Sequence, residues 1–296
     1  MDKILKRVKV APKGMGLNEF VAQQEGFFAH EGLDVEFDWK TFRGTQSSWK
    51  GFEYLQRPQD QVYAEGEQTI QCACLWGTIS NASAGMGLVV RDCYGVSPWA
   101  IFVRPESNIH RPEDLKNVPV GVGMRAGSHF NVPYRLEKYL PLDQIKTVNV
   151  GGFGARLKAL LNKEVEATSL LPPQIDMAEQ LGLRKIIADE FKTLWWVPEG
   201  SSQDDVRGYL RALDRAEQAL AADLPKYLHL WKITVPPEFE SLHQWDFSRF
   251  TRGERFVYEP VMQSEFDEVM QQVERWGLDD YLKNRSFDQL SFRAPR

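Results

Sequence analysis

Segments that read as strands alternate with segments that read as helices along most of this chain, and that alternation restricts the fold to mostly parallel sheets covered by helices. Val8 and Val10 mark a short strand ending at Pro12-Lys13-Gly14-Met15-Gly16, after which 17–28 reads as a helix. Leu33, Val35 and Phe37 alternate with Asp34, Glu36 and Asp38, the period of two expected where one strand face is buried. Residues 69–76 read as a buried strand, Gly77-Thr78-Ile79-Ser80-Asn81 opens the helix after it, and 88–90 and 99–103 are further strands. The stretch 41–68 mixes polar and aromatic residues without a period and receives no assignment.

From Arg104 the pattern restarts, with a capped turn at 111–115, a strand at 118–122 and a helix from Gly127-Ser128 through Tyr139. A strand at 146–150, a helix at 154–161, a strand at 166–170, a helix at 174–181 and a strand at 185–188 follow, which describes a second doubly wound unit. From Trp196 onward the chain reads as helical, most clearly at 204–220, 225–231 and 264–276. A length of 296 residues, 43% of them hydrophobic, suits one large or two medium domains.

Acidic residues outnumber basic ones by 41 to 36, a net charge of −5, so no field for holding a polyanion exists and nucleic acid is not expected as a partner. No run approaches the roughly eighteen apolar residues of a membrane-spanning helix, so no membrane span is expected. Cys72, Cys74 and Cys93 are too few and too odd in number for a disulfide framework and fit a reducing compartment. Met1 to Val10 lacks the apolar core and cleavage site of an export signal. The expected location is therefore cytoplasmic if Met1 is the natural start, and periplasmic if a signal peptide has been removed.

Several segments in fixed order resemble a known family. They are Gln23-x-x-Gly26-Phe27-Phe28-x-x-Glu31-Gly32-Leu33-Asp34-Val35, then Val103-Arg104-Pro105-Glu106-Ser107, Pro112-Glu113-Asp114-Leu115-Lys116 and Val120-Gly121-Val122. Ala155-Arg156-Leu157-Lys158-Ala159-Leu160-Leu161 before Glu164-Val165-Glu166-Ala167 agrees, with Lys163 where a glycine is usual. Together they resemble the type 2 periplasmic solute-binding superfamily, in the branch holding nitrate, taurine, alkanesulfonate and thiamine-precursor binding proteins. The resemblance implies an α/β fold of two doubly wound lobes joined by a two-strand hinge near 98–104 and 194–198. Lobe 1 would comprise 1–103, lobe 2 would comprise 104–195, and 196–296 would complete lobe 1 with C-terminal helices. A ligand would lie between the lobes.

Elementary physics points to the same region, because ligands bind beyond the carboxyl ends of parallel strands, where helix N-termini offer unpaired N–H groups. Three strand-to-helix turns qualify: Lys13 and Gly14 up to Met15, Trp76 to Ser80 with Gly77 and Thr78, and Arg125 to His129 with Gly127 and Ser128. Ser80 and Ser128 add hydroxyls suited to a carboxylate, sulfonate or sulfinate. Ser128 either caps its own helix or touches the ligand, and the two roles are compatible. His129 is a ligand donor, a proton-transfer group or a solvated histidine. Cys72 and Cys74 share one strand face; Cys74 is either a nucleophile with His129 as its base or a small buried apolar residue. A metal reading lacks a second ligand pair, so no metal and no cofactor is expected.

Trp49, Trp76, Phe130, Phe153, Trp195 and Trp196 are either cleft aromatics or core, and Trp76 beside Gly77 favours a ligand with a flat or apolar body. Arg43, Glu65 and Arg125 are charged members of the cleft or solvated surface charges. Pro172-Pro173 stands where the family often has Glu-Pro, so the resemblance puts Pro172 at the ligand and Leu171 at an otherwise acidic position. Gly151-Gly152-x-Gly154 lacks the spacing of a dinucleotide loop.

Two functions fit these residues. One is binding of a small organic anion (a carboxylate, a sulfonate, or an aromatic or heterocyclic acid) in the interlobe cleft, with a transporter permease as partner if the chain is exported. The other is a metal-free enzyme on the same fold, a decarboxylase, desulfinase or related lyase or hydrolase, with His129 and Cys74 as its catalytic residues. Where a desulfinase would show a nucleophilic cysteine in the first turn, this chain has Lys13-Gly14.

Overall fold

A computed structural model describes residues 5–39, 69–280 and 282–296. Arg43, Trp49 and Glu65, and the unassigned stretch 41–68 as a whole, lie outside the described residues. The strands are β1 (Lys6–Val10), β2 (Leu33–Phe37), β3 (Gln71–Cys74), β4 (Leu88–Val90), β5 (Tyr94–Val103), β6 (Pro119–Val122), β7 (Lys146–Asn149), β8 (Ala167–Leu170), β9 (Arg184–Val197), β10 (Arg255–Val257) and β11 (Ser291–Phe292). The helices are α1 (Asn18–Gln24), α2 (Phe27–His30), α3 (Leu75–Ser83), α4 (Gly127–Leu136), α5 (Phe153–Leu161), α6 (Gln174–Gln180), α7 (Gln203–Ala222), α8 (Leu224–Tyr227), α9 (Pro237–Glu240) and α10 (Gln263–Arg275).

The result is a two-lobed α/β molecule. In one lobe β1 and β2 pair in parallel, a bridge from Lys9 to Thr69 carries the sheet toward β3, and β3 and β4 pair antiparallel to the end of β9. In the other, β6 lies between β7 and β8, parallel to both, and β8 runs antiparallel to β5. Two long strands join the lobes: β5 and β9 pair antiparallel from Gly95 opposite Thr193 to Val103 opposite Arg184, with a register shift at Ile101/Phe102.

Alternation dictates the first lobe's edge, where Leu33, Val35 and Phe37 are buried and Asp34 and Glu36 exposed. Helix α7 covers that lobe because Val206, Tyr209, Leu210, Leu213 and Leu220 recur on one stripe of it. Each such side chain contributes on the order of 2 kcal/mol when withdrawn from water. Tyr209 stacks on Phe28 at 5.1 Å, and the Ser202 hydroxyl accepts the Asp205 amide at 3.3 Å to cap α7.

Four expectations are corrected. The strand assigned to 185–188 and the helical reading from Trp196 are replaced by one 14-residue strand, because Leu194, Trp195, Trp196 and Val197 are buried on both faces and a continuous apolar run shows no period. The helix expected over 17–28 is interrupted at Gly26, whose φ of 70° is left-handed and restarts the chain as α2. The strand expected over 69–76 ends at Cys74, and the helix expected to open at Gly77 begins at Leu75, which places Trp76 inside its first turn instead of at the end of the strand. Helix α4 stops at Leu136 instead of Tyr139.

Candidate functional site

The turn after β1 brings Lys13 to the middle of the molecule. Its Nζ donates to Thr193 Oγ1 at 3.1 Å and to the Cys72 sulfur at 2.8 Å, and it pairs with the Glu254 carboxylate. Burial alone would depress the pKa of Lys13, but Cys72 and Glu254 lie against it and hold it above that of a free lysine. Burial also pushes the Cys72 thiol up to about 12, so at neutral pH the counter-ion is Glu254. Space for that carboxylate depends on Gly95, where a Cβ would run into Thr193 Oγ1 and Glu254. The Lys13 ammonium also sits 5.1 Å from the centre of the Trp195 ring.

Opposite Lys13, two helices of the second lobe point their N-termini into the same space. Helix α4 follows the β6 turn, where side chains absorb the loop amides: Gly123 N–H donates to Ser128 Oγ at 3.0 Å, Met124 N–H to Asn149 Oδ1 at 3.4 Å, and Arg125 N–H to His129 Nδ1 at 3.1 Å. Helix α5 begins after Gly151-Gly152. The first amides of any α-helix lack an intrahelical acceptor, so both ends offer N–H groups and the positive end of a dipole.

Between them lies Arg156, 3% exposed on the buried face of α5. Its Nη1 donates to Ser169 O at 2.7 Å and its Nε to Gly152 O at 3.3 Å, and its guanidinium stacks 5.0 Å from the centre of the Phe153 ring. Burial pulls its pKa down to about 9, which still leaves it protonated at neutral pH. Among the described residues no carboxylate pairs with it, and Nη2 has no protein acceptor. A buried cation without a counter-ion is costly, and a bound anion removes that cost.

These groups surround a cleft between the two lobes. Lys13, Met15 and Cys72 to Cys74 form one wall; Gly123, Ala126 to Ser128, Gly151 to Phe153, Arg156 and Leu171 form the other; Phe191 of β9 closes the base. No carboxylate lines it among the described residues. Of the residues expected from sequence, Lys13, Cys74, Gly127, Ser128 and Phe153 meet there. Gly14 (φ 68°) lies against a neighbouring cavity on the far side of Lys13.

Others are placed elsewhere. Trp76 is sealed among Phe130, Tyr134, Phe191 and Trp276, with its indole N–H on Gln272 Oε1 at 2.6 Å. Gly77 donates its amide to Cys74 Sγ at 3.3 Å, Thr78 donates to Leu194 O at 3.2 Å, and Ser80 is buried along α3. Trp195 and Trp196 are core. Arg125 turns away to Asp280 at 2.9 Å and to Leu278 O at 3.4 Å. Pro172 does not line the cleft, but its neighbour Leu171 does.

His129 is 7% exposed and faces the β6 turn instead of the cleft. No hydrogen bond joins it to Cys74; its Nδ1 accepts the Arg125 amide, and burial together with the Arg125 charge depresses its pKa to about 4. The imidazole is therefore a neutral acceptor that fixes the turn. A cation-forming group whose folded pKa falls from 6.5 to about 4 stabilises the fold above pH 6.5, and that stability is lost as pH falls through 4. The loss amounts to about 3 kcal/mol. Urea unfolding of wild type and His129→Gln at pH 7.5 and pH 4 should show the difference between them moving by that amount in favour of the variant. A constant difference would mean the ring is not held neutral.

The charged cleft residue that the sequence reading did not single out is Arg156. A usable sign was present: in Phe153-Gly-Ala-Arg156-Leu157-x-x-Leu160 the arginine falls on the apolar stripe of its helix, three residues from Phe153 and four from Leu160.

No protein-family model matches the chain, and no curated protein matches it at the significance required. Solved structures do match over nearly its whole length. The alkanesulfonate-binding protein SsuA of Xanthomonas axonopodis pv. citri, bound to MOPS, superposes with a TM-score of 0.70 at 12% identity over 99% of this chain and 100% of that one. The periplasmic aliphatic sulphonate binding protein SsuA of Escherichia coli gives 0.68 at 12% identity over 98% and 92%. A Candida albicans protein described as having the generic periplasmic binding protein fold gives 0.67 at 12% identity over 98% and 97%. The chain has the type 2 periplasmic-binding-protein fold. The same fold carries the desulfurization enzyme DSZB, which matches with a TM-score of 0.59 at 14% identity over 98% of this chain and 96% of that one. At such identities the likeness is one of fold, and function rests on the cleft itself.

Proposed function

We propose that this chain binds a small organic anion, its acidic head on Arg156 and the N-termini of α4 and α5, its body against Phe153, Leu171, Phe191 and Met15. The observation that carries this reading is the buried guanidinium without a carboxylate partner among the described residues, set between two helix N-termini in an otherwise largely apolar cleft. Structural likeness to sulfonate-binding proteins supports the class of head group. Closure of the lobes about β5 and β9 would bury the ligand, and in a transport role the closed form would be read by a membrane permease.

The absence of a lining carboxylate among the described residues also supports an uncharged tail, because an ammonium carried into the cleft would be desolvated without a partner. Calorimetric titration should therefore rank butanesulfonate above taurine by at least about tenfold, the effect of roughly 1.4 kcal/mol. Equal affinities would remove the argument about the tail, and no binding of alkyl or aryl sulfonates or carboxylates would remove the assignment.

Cys74 favours one second reading, catalysis, since it lines the cleft and its sulfur accepts the Gly77 amide at the N-terminus of α3. Mass spectrometry of each ligand after incubation separates the two readings. A new product whose formation is lost in Cys74→Ser makes the chain an enzyme, and ligand recovered intact makes it a binder.

A further inference from the structure

A second cavity, open to solvent along one side, shares Phe191 with the cleft. Its walls come from the start of α3, the C-terminal half of α4, β9 and one face of α10, with Leu75, Tyr134, Phe191 and Val269 supplying apolar surface. The charges at its rim are mostly paired with one another or with neighbours. Lys192 pairs with Glu265, Arg135 with Asp189 at 2.8 Å, and Glu190 with Arg255 at 3.1 Å.

Glu268 is the exception. Among the described residues no cation pairs with it, and its Oε1 accepts Gln272 Nε2 at 2.8 Å. Gln272 is 5% exposed and is itself held by the Trp76 indole, which donates to its Oε1 at 2.6 Å. The relay from Trp76 through Gln272 orients the carboxylate, because the amide can present its NH₂ to Glu268 only while its oxygen takes the indole N–H. The cavity thus combines an apolar interior with one oriented carboxylate at its solvent-exposed rim, with which no cation pairs among the described residues.

We infer that this cavity is a second binding site, for an organic monocation with an apolar body, such as a primary aryl- or alkylammonium. The ammonium sits on Glu268 and the body fills the space against Leu75, Phe191 and Val269. This inference does not rest on the reading of the cleft, since no residue but Phe191 belongs to both cavities.

Benzylammonium and benzyl alcohol, of nearly equal shape, test it by calorimetric or NMR titration of the full chain at neutral pH. Benzylammonium is expected to bind about fivefold more tightly than the alcohol, the upper end of what a solvent-exposed ion pair supplies, and Glu268→Gln to remove that preference. Leu75→Trp, which fills the cavity from the edge of α3, should abolish binding of both compounds. Arg156→Met, at the cleft, should leave benzylammonium binding unchanged. Because Glu268 is on the surface of α10, its replacement leaves the fold intact even if Leu75→Trp does not. No saturable benzylammonium binding, equal binding of the alcohol, or full retention of the preference in Glu268→Gln would each overturn the inference. Loss of benzylammonium binding in Arg156→Met would overturn it too, by assigning the amine to the cleft.

Discussion

Arg156→Met is expected to weaken anion binding by about 100-fold or more while leaving the protein as stable as wild type or slightly more so. Removing one partner from a desolvated, hydrogen-bonded charge pair costs roughly 2–5 kcal/mol of binding. The stability result has the opposite origin. The guanidinium is 3% exposed with two carbonyl acceptors and, among the described residues, no counter-ion, so the fold bears its desolvation without an ion pair in return. An unbranched apolar side chain of similar length removes that penalty and keeps the contact with Phe153, and such replacements of buried charge are often neutral or stabilising. Titration with a sulfonate or carboxylate, alongside urea unfolding of both proteins, reads the two effects separately. A large fall in stability with binding retained would make Arg156 a strut between α5 and β8 and would withdraw it from the site. Arg156→Lys keeps the charge without the planar fork and should fall between the two.

Glu254→Gln is expected to destabilise the protein by about 3–5 kcal/mol, because it leaves the Lys13 ammonium buried without its counter-ion. Lys13→Met should cost a similar amount by stranding the carboxylate, whose Oε2 has no hydrogen-bond partner among the described residues. The double variant Lys13→Met/Glu254→Gln is expected to recover most of the loss, since it removes both charges together. A cycle of urea unfolding midpoints measures the coupling directly. Additive losses in the double variant would show that the two side chains stabilise the fold through separate contacts.

The two-lobed α/β architecture was legible in the order of strands and helices; Gly127, Ser128 and Lys13 were legible as cleft candidates because each stands where a strand gives way to a helix, and Phe153 as one of several aromatics that were either cleft or core. Trp76, Thr78 and Ser80 were not, and the reason is local. The strand before them ends at Cys74, two residues earlier than its apolar run implies, so α3 begins sooner and rotates all three into the core. His129 was legible as a residue near the site but not in its role. Adjacent to Ser128 in sequence, it points back along the β6 turn, because consecutive residues on a helix diverge by about 100°.

Periodicity and punctuation are short-range properties, and they sufficed to set the succession of elements, the apolar faces of β2 and α7, and the positions of the helix N-termini that meet at the cleft. Pairing of charges is a long-range property. Lys13 finds Glu254 across 241 residues of chain, whereas Arg156, on a helix with acidic residues close by in sequence at Glu164 and Glu166, finds none of them. Which cation is neutralised inside the protein and which is left for a ligand depends on distance and burial in three dimensions, and only the packing of the two lobes decided it.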